Sequence, residues 1–334
     1  MGGYILRRTL VVVPVVLGAV TLLFLVFFVV PGDPVDQLVG GKAVTAITRQ
    51  QVEHKYSLDK PWYVQYGRFL KNLSRGDLGQ SYKQGRSVND ILGQAAPASV
   101  RLAFWALAVE VVIGIATGVV SAVRQYSFID ALTTVSTTMV VAIPVFVLGY
   151  LFQYMLAVYT FQHGFPAWAR LPAQGIGPNT WSLGVIPTGP EWRYLVLPAV
   201  ALASVSTAVV ARMMRTTMLE VMKADYMRTA RAKGLAESQV ILRHGLKNAM
   251  IPVVTLIGLD LATLIGSAVL TETVFNWPGI GSTVAQAIAV LDSPVVLGLT
   301  LVLVVAYVVI NLLVDLSYAL FDPRIRYGSQ KVGA

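Results

Sequence analysis

The chain has 334 residues, 55% of them hydrophobic and only 13% charged, with a mean hydropathy of +0.66. A soluble globular protein carries about 25% charged residues, so there are too few charges here to cover even one or two water-soluble domains. Lysine and arginine number 26 against 17 aspartates and glutamates, a net charge of +9; the cations sit between apolar runs, which speaks for membrane topology and against a nucleic-acid partner. With no cysteine in the chain, disulfides and thiolate metal sites are excluded.

The first apolar run, Thr9 to Val30, contains no charge. Crossing about 30 Å of hydrocarbon at about 1.5 Å per residue takes roughly 20 residues, and this run suffices. It is longer than the apolar part of a secretory signal and ends in Val30-Pro31-Gly32-Asp33 instead of a small-residue cleavage site, so it is read as a retained helix.

From Pro31 to Pro97 the chain is polar and carries nine basic residues. Thr48 with Gln51 has capping-box spacing, and Pro61 suits a first helical position. Trp62, Tyr66, Phe69, Leu70 and Leu73 then recur at helical spacing before Gly76. This predicts a small helical segment whose stripe packs on the membrane helices or binds a partner.

Further runs follow at Leu102 to Ala122, Ala131 to Tyr159, Tyr194 to Ala211, Ala249 to Leu270 and Val295 to Phe321. They lack the period-two alternation of an outer-membrane barrel, and backbone groups in lipid must be satisfied within the segment, so each is read as a helix. The fold class expected is an all-α polytopic membrane protein with six transmembrane helices. Its parts are 1–30 (N-terminus and first helix), 31–97 (extracytoplasmic segment), 98–321 (core) and 322–334 (tail).

Within these runs, Glu110, Asp260 and Asp315 are ionisable groups at membrane depth, each costing about 2.5–3.5 kcal/mol at a helix centre. Glu110 and Asp260 either line a polar translocation pathway or pair with hydroxyls and amides of neighbouring helices, and both readings stand. Asp315, near a helix end, is read as structural. Pro144, mid-run, is expected to kink the third helix, at a moving part or as a tolerated proline.

Orientation follows from the short loops. With the N-terminus inside, the inner segments hold Arg7, Arg8, Arg124, Arg212, Arg215, the cations from Lys223 to Lys247, and Arg324, Arg326 and Lys331, whereas the short outer loops hold only Arg170 and Arg193. Trp62, Trp168, Trp181, Trp192 and Trp277 fall in outer segments, and Trp105 lies near an outer helix end, in keeping with the interfacial preference of tryptophan. Both termini are expected in the cytoplasm.

Enzyme chemistry has little to stand on. Gly40-Gly41-Lys42 is followed by alanine and lacks the earlier glycine of a phosphate-binding loop. His54, His163 and His244 have no metal-ligand spacing, and no Gly-x-Ser-x-Gly elbow occurs. No catalytic, cofactor or metal site is expected in this chain.

The longest inner loop, Thr216 to Asn248, is strongly basic and patterned. Ala224 to Leu235 reads ADYMRTARAKGL, helix-prone up to Gly234, where glycine suits a left-handed cap. Tyr226, Ala230 and Gly234 fall four apart and predict a face open to close approach by another protein, flanked by Arg228, Arg231 and Lys233. A second helix is expected from Glu237 to Asn248, with Pro252 opening the fifth span.

Several segments together carry a family resemblance: Pro31-Gly32-Asp33-Pro34, Leu58-Asp59-Lys60-Pro61, Gly76-Asp77-Leu78-Gly79, RTARAKGL from Arg228 to Leu235, Asn248-Ala249-Met250-Ile251-Pro252, TETVFNWPGIG from Thr271 to Gly281, and Asp322-Pro323-Arg324-Ile325-Arg326. In this order the chain resembles the permeases of binding-protein-dependent ABC importers of the dipeptide/oligopeptide type. The resemblance implies a type I importer fold in the bacterial plasma (inner) membrane, a core of five helices, and a first helix leaning on a second, homologous permease chain. It also implies two cytosolic ATPase subunits that bind ATP and magnesium, an extracytoplasmic substrate-binding protein, and a short-peptide cargo.

The family's coupling loop, Glu-Ala-Ala-x-x-x-Gly, falls on Arg228, Thr229, Ala230 and Gly234, so ATPase docking is implied for Tyr226, Arg228, Thr229, Ala230, Arg231, Lys233, Gly234 and Leu235. The glutamate and first alanine are replaced here, and that glutamate's contact does not transfer. Glu272, Phe275, Trp277, Pro278 and Gly279 are implied to lie outside, near the pathway mouth, where they contact substrate or binding protein or cap the fifth helix.

Overall fold

The computed structural model describes residues 2–26, 60–178, 181–182 and 184–321, with backbone alone at 2–7 and 317–321. The expected capping pair Thr48 and Gln51, the segments Pro31 to Pro34 and Asp322 to Arg326, and the last four residues of the first expected span lie outside them. In chain order the helices are α1 (Gly2–Phe24), α2 (Trp62–Leu73), α3 (Val88–Val123), α4 (Phe128–Ala142), α5 (Val145–Gln162), α6 (Trp192–Met222), α7 (Asp225–Ala232), α8 (Glu237–Val274), α9 (Ile280–Ala289) and α10 (Ser293–Phe321). A two-residue antiparallel hairpin, β1 (Trp181–Ser182) and β2 (Ile186–Pro187), precedes α6.

Among the described residues, five helices are long and apolar enough to cross a membrane: α3, α5, α6, α8 and most of α10. The apolar part of α1, Arg8–Phe24, is shorter than these.

The chain forms two compact units, one of residues up to Ala98 with those from Pro278 onward, the other Ser99–Trp277. In the first, α1 packs on α10, with Arg8 and Asp315 paired at 2.8 Å. The expected stripe of α2 docks on α1: the Phe24 ring packs at a tilt, 5.1 Å from Tyr66 and 5.7 Å from Phe69 between centroids, and Thr21 and Tyr66 share a hydroxyl hydrogen bond of 2.5 Å. Trp62 stays exposed. Leu78, Val88, Ile91, Ile280, Val284 and Val296 form the core of this unit. Buried Asp292 draws in the loop ahead of α3, accepting from the Ser81 hydroxyl at 2.5 Å and from the Tyr82 N–H at 3.0 Å.

In the second unit α6 is the central helix, packed by α3, α4, α5 and α8. Its apolar window is 56% buried, against 22–33% for the other four spans. Ala199, Ala201, Ala203, Ala208 and Ala211 are buried along it, and small side chains let helix backbones approach where lipid supplies no hydrophobic drive for association. The hairpin is tied to α3, where Arg101 Nε donates to the Gly184 carbonyl at 2.7 Å and Trp105 Nε1 to that of Val185 at 2.8 Å.

Two expected spans differ from the observed helices. The third is not one kinked helix: α4 ends at Ala142 and α5 starts after Pro144. Proline disfavours helical conformation in the residue before it, and Ile143 is extended, φ −100°, ψ 129°. The fifth does not open at Pro252. The expected loop helix and span are one continuous helix, α8, with a π-helical stretch at Val240–Leu246 and Pro252 inside it.

Candidate coupling segment and membrane-interior polar residues

α7 follows two residues after α6. Asp225 in its first turn and Arg231 in its last oppose the helix dipole favourably, and Gly234 closes it at φ +79°. No atom lies within 4 Å of where a Gly234 Cβ would stand, so glycine is required there by the left-handed backbone and not by a close neighbour. Met227 and Ala230 are buried against Val240 of α8, with Val221 and Met222 of α6 beside them. The Met227 and Met218 methyls converge on Gly245.

This corrects the face expected from the four-residue spacing. Tyr226 and Gly234 are exposed, but Ala230 is only 6% exposed and belongs to the core under α7. An eight-residue helix lying on a protein must bury one stripe, and positions 227 and 230, three apart, supply it. The open side carries Tyr226, Arg228, Thr229, Lys233, Gly234 and Leu235. Arg228 pairs with Asp225 at 2.5 Å and Arg231 with Glu237 at 2.9 Å, while the Tyr226 hydroxyl accepts from Asn248 Nδ2 at 3.1 Å.

Glu110 opens a π-helical turn, Glu110–Gly114, inside α3 and is fully buried. Asp260 on α8 lies within electrostatic reach of its carboxyl, two acids 150 positions apart in sequence. Neither Glu110 oxygen has a hydrogen-bond partner among the described residues, nor does Oδ2 of Asp260, nor the Thr207 hydroxyl on α6. Asp260 Oδ1 accepts from Thr263 of its own helix at 2.5 Å. Pro144 is the N-cap of α5 at the α4–α5 break.

The segment from Thr271 to Gly279 is more buried than expected. Glu272 and Trp277 are wholly buried and Phe275 is 1% exposed. Glu272 accepts from the Ser99 hydroxyl at 2.6 Å, its carbonyl accepts the Trp277 N–H at 2.8 Å, and Phe275 packs with Ala157, Leu197 and Ala201. These three side chains are core groups closing the end of α8, and so unavailable to a substrate or binding protein in this conformation. Pro278 is exposed, and Gly279 is the N-cap of α9, its N–H donating to the Ser282 hydroxyl at 3.1 Å.

Two arrangements went unread in the sequence. Asp130, 4% exposed, accepts from Arg215 Nε at 2.6 Å and from its terminal nitrogen at 2.8 Å, from the Ser121 hydroxyl at 2.5 Å and from the Tyr126 N–H at 2.9 Å. Arg215 was legible only as a topology charge; nothing in one dimension pairs it with a residue 85 positions away. The other is Gly114 and Gly118, four apart on α3. A Cβ on Gly114 would stand 2.8 Å from Val210, and one on Gly118 2.6 Å from the Ala211 carbonyl oxygen. Here a signal did exist: Gly-x-x-x-Gly in an apolar run marks a close helix crossing.

Comparison with known proteins agrees along the chain. Residues 114–327 match the profile of the binding-protein-dependent transport system inner membrane component, and residues 1–103 match that of the N-terminal part of such membrane components. The dipeptide transport system permease protein DppB of Alkalihalophilus pseudofirmus is 36% identical, covering 98% of this chain and 100% of the relative. The oligopeptide transport system permease protein AppB of Bacillus subtilis is likewise 36% identical over 98% and 100%. The probable D,D-dipeptide transport system permease protein DdpB of Escherichia coli is 39% identical over 94% of each. With its apolar helices and these matches, the chain is a multi-pass membrane protein belonging to the family of binding-protein-dependent transport system inner membrane components.

Proposed function

We propose that this chain is one of two homologous permease subunits of an ATP-driven importer of short peptides in the bacterial inner membrane. Six helices cross the membrane: α1, the α4–α5 pair counted once, and α3, α6, α8 and α10. Both termini face the cytoplasm, with the segment 31–97 outside. Full-length similarity to relatives named as dipeptide and oligopeptide permeases supports the substrate class.

The observation that carries the mechanism is α7, a short helix anchored by Met227 and Ala230 and presenting Tyr226, Arg228, Thr229 and Lys233 outward. It docks on a cytosolic ATPase subunit, with Arg231, Gly234 and Leu235 shaping its end. Two such ATPases bind ATP and magnesium, and an external binding protein delivers the cargo. ATP must bind the closed ATPase pair more tightly than the open one; that difference in affinity is what biases the permease between its two states. Glu110 and Asp260 line the polar pathway, and Pro144 divides the third crossing so that its halves move separately. No catalytic step falls to this chain.

Reconstitution tests the reading. Uptake of labelled peptide into liposomes is expected only when the partner permease, the ATPases, the binding protein and ATP are all present. Concentrative uptake by this chain alone, driven by an ion gradient, would replace it with a secondary transporter using Glu110 and Asp260.

A further inference from the structure

The second unit contains a junction that the docking of α7 does not by itself require. Asp130 opens α4, its N–H bonded to the Ser127 hydroxyl at the N-cap, and it gathers Ser121 from α3, Tyr126 from the intervening turn and Arg215 from α6. Arg215 lies three residues before Met218, whose methyl meets that of α7's Met227 at Gly245. The end of α6 that bears α7 is therefore fastened twice: sterically to α3 through Gly118 against Ala211 and Met214, and ionically to α4 through Arg215. Beyond α4 the helix is interrupted at Ile143-Pro144.

We infer that the Arg215–Asp130 pair is a strut passing displacement of α7 to α4, which swings as a rigid piece about the break at Pro144. Apolar packing holds helices together without fixing their direction. Two parallel N–H···O bonds from a planar guanidinium do fix it. Stability alone gives little reason for the pair: Asp130 is buried and Arg215 half-buried, and an ion pair taken out of water is often replaced by well-packed apolar side chains at no loss of stability. Both residues are positioning groups, and the inference rests on the reading of α7 as the docking element.

The chain lacks cysteine, so spin labels can be introduced at Leu132→Cys on α4 and Leu151→Cys on α5, both at exposed positions. In the complete transporter in lipid, ATP is expected to change the distance between them. With Arg215→Met and Asp130→Leu together, ATPase binding and hydrolysis should persist, the distance change should vanish, and uptake per ATP should fall about tenfold, within the usual range of coupling free energies. Should that variant not assemble, Asp130→Asn keeps the shape without the ion and is read the same way. An unaltered distance change with normal uptake per ATP overturns the strut, as does a labelled wild type in which ATP moves nothing. Failure of the docking reading looks different: ATPase recovery would then be indifferent to changes at the end of α7, such as Gly234→Leu in the turn that closes it.

Discussion

Gly118 lies so close to Ala211 that a Cβ would approach the Ala211 carbonyl oxygen to 2.6 Å, bringing α3 and α6 into backbone contact. Neither backbone can yield without lengthening the crossing. Gly118→Val is expected to lower stability by about 1–3 kcal/mol through overpacking, seen as a reduced melting temperature of the purified protein. Gly266→Ala, on α8 with nothing within 4 Å of the new methyl, serves as the comparison and should melt at the wild-type temperature or above. Equal melting of both variants would contradict the close crossing.

The turn after α7 makes a different demand, because Gly234 has positive φ and open space around it. Gly234→Asn should be accepted, asparagine being among the residues that tolerate the left-handed region. Gly234→Leu should distort the turn and weaken ATPase association while leaving membrane insertion intact. Recovery of the ATPases at wild-type levels with the Leu variant would remove the docking role.

Under α7, Met227 is wholly buried with Ala230 and Val240. Met227→Ala should cost about 2–5 kcal/mol locally, and because the cluster is small, the loss should appear as faster hydrogen exchange across Asp225–Ala232 ahead of global unfolding. Exchange in this helix no faster than wild type would mean that something other than this cluster anchors it.

Glu110 is buried with neither oxygen bonded among the described residues, a costly arrangement for a stabilising group. Glu110→Leu is expected to leave thermal stability unchanged or raise it, while peptide uptake by the complete transporter falls. Undiminished uptake would strike Glu110 from the pathway.

The amino-acid sequence by itself determined the class of this molecule: apolar runs long enough to cross a bilayer, and a basic loop between two of them patterned as helix, glycine and helix. These are one-dimensional properties, since hydropathy, propensity and the left-handed need at Gly234 depend on residues adjacent in the chain. Long segment motifs also identified the family, because they preserve order and spacing along the chain.

Only the tertiary structure decided which way side chains turned. Ala230 looked like half of an outward face, and Glu272, Phe275 and Trp277 like a contact surface, yet all four are buried; helical spacing defines faces but does not say which one meets the protein. Asp130 and Arg215 became a pair, and Glu110 and Asp260 neighbours, only when helices distant in sequence packed together. A polar group in a membrane protein takes its role from the partner that folding brings to it.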